Sequence, residues 1–167
     1  GWVAGATTVT FRVLTLRPIV DPPAGEYDRE LDVSASSPTV GATIRYTTNG
    51  VFPDESSPLL EAGQTIRVDR TMTLRLRAFR TDLWASDETT ATYFLRVKQP
   101  LANPAPGTYG TAQQVWLQSP TSGAVVRYEL GGAWPTARSP ILARPVLVDA
   151  PMRITAAAYR EGWQPSG

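Results

Sequence analysis

The chain contains neither cysteine nor histidine. Without thiols there are no disulfides and no thiolate chemistry. Without imidazoles the commonest zinc ligand and the histidine-based catalytic triads are missing as well. A cysteine-free chain fits any redox compartment. Charge is sparse: 19% of the 167 residues are charged and the net formal charge is +1, which gives no basic face for nucleic acid. No run of about 18 apolar residues occurs, so no membrane-spanning helix is expected. No leader peptide is visible at Gly1, although one removed earlier or lying outside this sequence is compatible with it.

What is present is enough apolar residue for a core, 42%, with 15 prolines and 13 glycines spread along the chain. Together with many Thr and Val residues, this pattern reads as short strands punctuated by turns. An internal repeat organises them. At an offset of 82, Trp2 to Glu61 aligns without a gap on Trp84 to Ala143. Pro22, Gly25 and Tyr27 meet Pro104, Gly107 and Tyr109. Ser37-Pro38-Thr39 meets Ser119-Pro120-Thr121, and Arg45-Tyr46 meets Arg127-Tyr128. Two residues then drop out, so that Ala78 and Arg80 meet Ala158 and Arg160. One more drops out to bring Trp84 onto Trp163.

Within a copy the hydrophobic period is two. Leu31, Val33 and Ala35 alternate with polar neighbours, and so do Ile44 and Tyr46, Ile66 and Val68, and Met72, Leu74, Leu76 and Ala78. Strands with one buried face produce this pattern. Asn49-Gly50 reads as a tight turn, replaced by Gly131-Gly132 in the second copy. No segment carries a capped helical pattern. Six or seven short strands per roughly 80 residues imply a sandwich. The expected fold is all-β: an orphan strand in 1–17, then two tandem immunoglobulin-like β-sandwich modules over 18–98 and 99–167.

Several residues carry a family resemblance. Pro22, Gly25 and Tyr27, then Arg45 to Gly50 with Pro53, then Ala78, Arg80, Trp84 and Ser86 form a pattern with a Thr-rich final strand. It resembles the chitobiase/β-hexosaminidase C-terminal-type domain over nearly the whole chain. The second copy departs from it at Glu129 to Gly132. The resemblance implies a fibronectin- or immunoglobulin-like sandwich, non-catalytic, appended to secreted or surface bacterial proteins that are often carbohydrate-active. It specifies no site, and fold alone does not settle function.

Candidate chemistry is thin. Asp54-Glu55 and Asp87-Glu88 read as solvated loop charges, since glycoside hydrolysis needs two carboxylates flanking a cleft. Asp69 and Asp149 align just before a strand and read as turn caps, with a bound cation as the sharper alternative. Lys98, the sole lysine, lies between the copies, a poor place for an isopeptide or Schiff-base role. No catalytic residue, metal or cofactor is expected. Trp2, Trp84 and Trp163 share one repeated position and read as structural, as do Phe52 and Trp134. Trp116 differs: with Val33 and Val115 inward, it points out between Gln114 and Gln118 as a candidate partner or sugar contact.

The first residues do not begin a module. Thr7 to Leu16 matches Thr89 to Lys98, the last strand of the first copy, with Val9, Phe11 and Val13 on Ala91, Tyr93 and Leu95. The second copy has no such strand before Gly167. Three explanations compete: a window from a longer array, donation of Thr7 to Leu16 to the second module of a neighbour, or closure within one chain. The reading adopted is a non-catalytic structural repeat of the cell surface or extracellular space, self-assembling head to tail as a homo-oligomer or polymer. The strand-donation residues are Val9, Phe11 and Val13. The alternative is an accessory or carbohydrate-binding module of a secreted polysaccharide-active enzyme. A second exposed aromatic near Trp116 would favour that alternative.

Overall fold

The computed structural model describes residues 5–167, so Trp2 lies outside the described residues. These residues contain thirteen strands and no helix long and apolar enough to cross a membrane. The strands are β1 (Ile19–Asp21), β2 (Gly25–Tyr27), β3 (Leu31–Ser36), β4 (Thr43–Thr47), β5 (Leu59–Leu60), β6 (Ile66–Val68) and β7 (Met72–Phe79). They continue with β8 (Thr89–Leu95), β9 (Leu101–Asn103), β10 (Gln113–Gln118), β11 (Val125–Leu130), β12 (Val146–Val148) and β13 (Ile154–Tyr159). The sheets run in the orders β1-β3-β6, β2-β8-β7-β4-β5, β12-β10-β9 and β11-β13. The all-β class expected from the period-two pattern is the class found.

Cα proximity groups the chain into two compact units. One holds the N-terminal segment through Pro23, Val33–Ile66 and Thr73–Ala91, and its buried residues include Val33, Ile44, Leu74, Leu76 and Ala78. The other holds Ala24–Asp32, Arg67–Met72 and Thr92–Gly167, and buries Leu31, Val68, Tyr93, Leu95, Val126, Ala157, Ala158 and Trp163.

The repeat recurs at the level of single hydrogen bonds. Arg45 Nη1–H donates to the Ser57 carbonyl at 2.9 Å, and Arg127 Nη1–H donates to the Ser139 carbonyl at 2.6 Å. The Ala78 N–H donates to Ser86 Oγ, and the Ala158 N–H to Ser166 Oγ, both at 2.9 Å. Cis peptide bonds precede Pro22 and Pro104. Alternating burial follows the sequence pattern: in β3 Leu31 and Val33 are buried while Asp32 and Ser34 are exposed.

Three expectations need correction. First, the last gap in the repeat does not exist. The Leu83 N–H donates to the Arg80 carbonyl and the Trp163 N–H to the Arg160 carbonyl, each at 3.1 Å, so Trp163 stands with Leu83 and Gln164 with Trp84. Trp84 and Trp163 therefore do not share a role. Trp84 is 57% exposed under the Arg12 guanidinium, whereas Trp163 is 8% exposed and donates from Nε1 to the Asp69 carbonyl at 2.8 Å. Second, Asn49-Gly50 is not a two-residue hairpin turn. Gly50 alone adopts a positive φ, 81°, while Asn49 Oδ1 accepts from the Val51 N–H at 3.1 Å and opens a longer loop before β5. An Asx turn satisfies the side chain without left-handed backbone at Asn49. Third, two of the loop carboxylates are not simply solvated. Glu88 forms a close two-point ion pair with Arg75, and Asp54 caps its own loop by accepting from the N–H groups of Ser56 and Ser57.

Candidate functional site

The strand that closes the first copy defines what a complete copy contains. β8 lies between β2 and β7 in its sheet. It runs parallel to β2 in the register Gly25 with Tyr93, Glu26 with Phe94 and Tyr27 with Leu95. Every second side chain of β8 is apolar, so one face of the strand is a continuous plug: Ala91, Tyr93 and Leu95 are enclosed. The Tyr27 and Tyr93 rings meet with centroids 6.2 Å apart, a separation at which aromatic pairs attract.

Residues 99–167 present the same frame without the plug. Gly107 to Tyr109, the counterparts of β2, form no strand. An open groove of about 310 Å³ runs beside them, lined by Ala102, Tyr109, Val115, Leu117, Val148 and Ile154 among others. In the first copy, Val33, Val68 and Leu74 are sealed. Their counterparts Val115, Val148 and Ile154 remain half-buried. Tyr109 is held at the rim by its hydroxyl, which donates to the Ala105 carbonyl at 2.6 Å. Apolar side chains facing water in a groove of this shape are a cost that an added strand removes.

The candidate donor residues are on the surface. Val9, Phe11 and Val13 are 64%, 87% and 65% exposed. Between them, Arg12 lies over the Trp84 ring at 4.6 Å. Immediately after them the chain is anchored. The Thr15 N–H donates to the Trp84 carbonyl at 2.8 Å, and the Trp84 N–H donates to the Val13 carbonyl at 3.1 Å. The Leu16 N–H donates to Thr39 Oγ1 at 2.9 Å. The same anchor recurs one repeat later. The Val97 N–H donates to the Gln164 carbonyl at 3.0 Å, Gln164 returns a bond to Leu95, and the Lys98 N–H donates to Thr121 Oγ1 at 2.9 Å. Residues 14–16 thus stand to the first copy as residues 96–98 stand to the second. Residues 96–98 continue directly from β8, the closing strand.

Trp116 is separate from this groove. It projects from the opposite face of β10, 47% exposed, while Val115 and Leu117 point into the groove. The groove residues themselves were not singled out from the sequence, although each follows from carrying the first copy's alternating positions across the offset.

The remaining chemistry is electrostatic. Glu30 receives Arg67 and Arg160, and hydrogen bonds from both hold its carboxyl below the usual range. Hydrogen bonding from Arg75 lowers Glu88 in the same way. Lys98 pairs with Asp28 at 3.2 Å on the surface, and Asp69 pairs with Arg70 at 2.9 Å. Among the described residues, no three acidic side chains gather in a metal-ligating group.

No curated protein matches the chain. The family model of the chitobiase/β-hexosaminidase C-terminal domain matches it twice, over residues 22–92 and 104–167. With those two segments covering most of its length, the chain belongs to the chitobiase/β-hexosaminidase C-terminal domain family, β-sandwich domains associated with carbohydrate-active enzymes.

Proposed function

We propose that the protein is a non-catalytic structural repeat of the cell surface or extracellular space that assembles head to tail. Its modules are residues 18–98 and 99–167. Thr7 to Leu16 of one copy runs from the groove of residues 99–167 in the next to its own first module: Val9, Phe11 and Val13 take the places that Ala91, Tyr93 and Leu95 hold in the first module, and residues 14–16 keep their bonds to their own copy. Such a contact is heterologous, so it generates rings or filaments.

The anchor at residues 14–16 carries this reading. It repeats the bonds that residues 96–98 make, and in that instance the chain leading into the anchor is a closing strand. The apolar alternation of residues 9–13 and the open groove supply the two complementary surfaces. Strand addition joins them through main-chain hydrogen bonds, with the side-chain pockets setting register. Burying each of the larger donor side chains contributes about 1.5–3 kcal/mol, and a groove whose frame already exists in the free chain adds little ordering cost of its own.

The test is sedimentation and negative-stain electron microscopy of the parent and Phe11→Asp. The parent is expected to form rings or filaments. The variant is expected to remain monomeric with its first module folded, because a charge in the apolar slot is unfavourable and that module has its own closing strand. A parent that stays monomeric at high concentration, or a variant that assembles equally well, refutes donation and leaves a longer array as the source of the missing strand.

A further inference from the structure

The outer face of the β9-β10-β12 sheet differs from its counterpart in the first copy in a way that assembly does not use. The antiparallel registers place Trp116 opposite Asn103, Gln118 opposite Leu101, and Gln114 opposite Leu147. Directly opposed residues share a face, and all six are exposed. None is charged. The equivalent six positions in the first copy are Ile19, Asp21, Asp32, Ser34, Ser36 and Arg67. There Arg67 is ion-paired with Asp32 at 3.0 Å. One face is thus charged and self-paired, while the other is neutral, centred on a tryptophan and bordered by three amides.

We propose that this face binds a neutral pyranose polysaccharide, with the sugar ring stacked on Trp116 and its hydroxyls bonded to Asn103, Gln114 and Gln118. The negative face of the indole attracts the weakly positive C–H surface of a pyranose. Each carboxamide offers both donors and an acceptor, matching hydroxyls that also donate and accept. An anionic polymer would find no cation on this face. A protein partner would need a larger apolar centre than one indole with two leucines at opposite corners. Gln114 and Gln118 lie about 13–14 Å apart along the strand, room for a short run of sugars. The face holds no second aromatic, so contact is by one stacking ring and the affinity per site is low. Trp134, 62% exposed, sits on the loop after β11 and is not on this sheet. It provides an internal control. The inference does not depend on strand donation, since the groove opens on the opposite face of β10.

The experiment is retention of the full chain on insoluble cellulose and chitin, in competition with the soluble hexasaccharides. The parent is expected to be retained on at least one polymer. Trp116→Ala should lower retention about tenfold or more, Gln114→Ala several-fold, and Trp134→Ala not at all. All the substituted side chains are exposed, and circular dichroism would confirm that each variant is folded. The proposal fails if the parent is not retained, or if Trp116→Ala and Trp134→Ala lose retention equally. It also fails if Trp116→Ala changes the parent's sedimentation without polymer, which would make the face a contact between copies of the chain.

Discussion

Residues 18–98 and 99–167 carry one sequence pattern and both bury part of it, with Val126, Val146 and Ala158 standing where Ile44, Ile66 and Ala78 do, yet several apolar positions are sealed only in the first. Leu31, Val33, Leu74 and Leu76 are sealed in the first copy. Gln113, Val115, Ile154 and Ala156 occupy the same positions in the second and remain half-buried. Much of the hydrogen-bonded frame recurs in both, down to the Arg45 and Arg127 bonds and the Ser86 and Ser166 bonds. The comparison teaches that this repeat specifies a frame through its turns and arginines, and that the frame forms in residues 99–167 with no counterpart of β8 among the described residues.

The largest effect should come from cutting each core. Leu74→Ala removes a sealed side chain and should cost about 2–5 kcal/mol. Ile154→Ala empties a half-buried site beside the groove and should cost less, about 1–2 kcal/mol in a monomer. Urea unfolding of the two variants, with amide exchange read on β7 and β13, separates them. Equal costs would mean that the second core is as closed as the first.

A smaller difference should appear in acid. Glu88 is held below the ordinary carboxylate range by Arg75, so its folded value is lower than its unfolded one. It therefore stabilises fully above the unfolded value, and that contribution disappears as pH falls through the folded one. The second copy has Thr155 at the position of Arg75 and cannot form this pair. Acid titration should thus weaken exchange protection around β7, and Glu88→Gln should flatten that dependence. An unchanged acid limb in Glu88→Gln would assign the effect elsewhere.

Much of this was legible in the sequence because the repeat is nearly gapless. Leu31, Val33, Leu74 and Leu76 announce their strands by alternation, and the match of Thr7 to Leu16 on β8 is visible from the offset alone. Trp84 and Trp163 were misread because identity was preferred to register. The backbone turn after Arg80 and Arg160 fixes the spacing, and it places Trp163 where Leu83 stands. The Asn49-Gly50 pair also misled, since the same dipeptide serves an Asx turn as readily as a two-residue hairpin. The Glu88 and Arg75 pair spans 13 residues and joins a loop to a strand, so no local pattern marks it. The groove was hidden for a different reason: a void appears only once the strands around it are placed.

In the proposed assembly residues 7–13 enter the groove of another copy in the register of β8, while residues 14–16 stay bonded to their own copy. In the first copy Glu26 stands opposite Phe94, which maps onto Thr108 opposite Arg12. The cysteine-free parent makes a disulfide trap clean. The doubly substituted chain Arg12→Cys with Thr108→Cys places two thiols on paired strands, within the Cα separation a disulfide needs. Under mild oxidation the account predicts a ladder of covalent dimers, trimers and longer species. Moving the first cysteine to Thr7, about 16 Å along the strand, should abolish the ladder. A ladder of equal strength from the displaced pair, a covalently closed monomer, or no cross-linked species at all would contradict it.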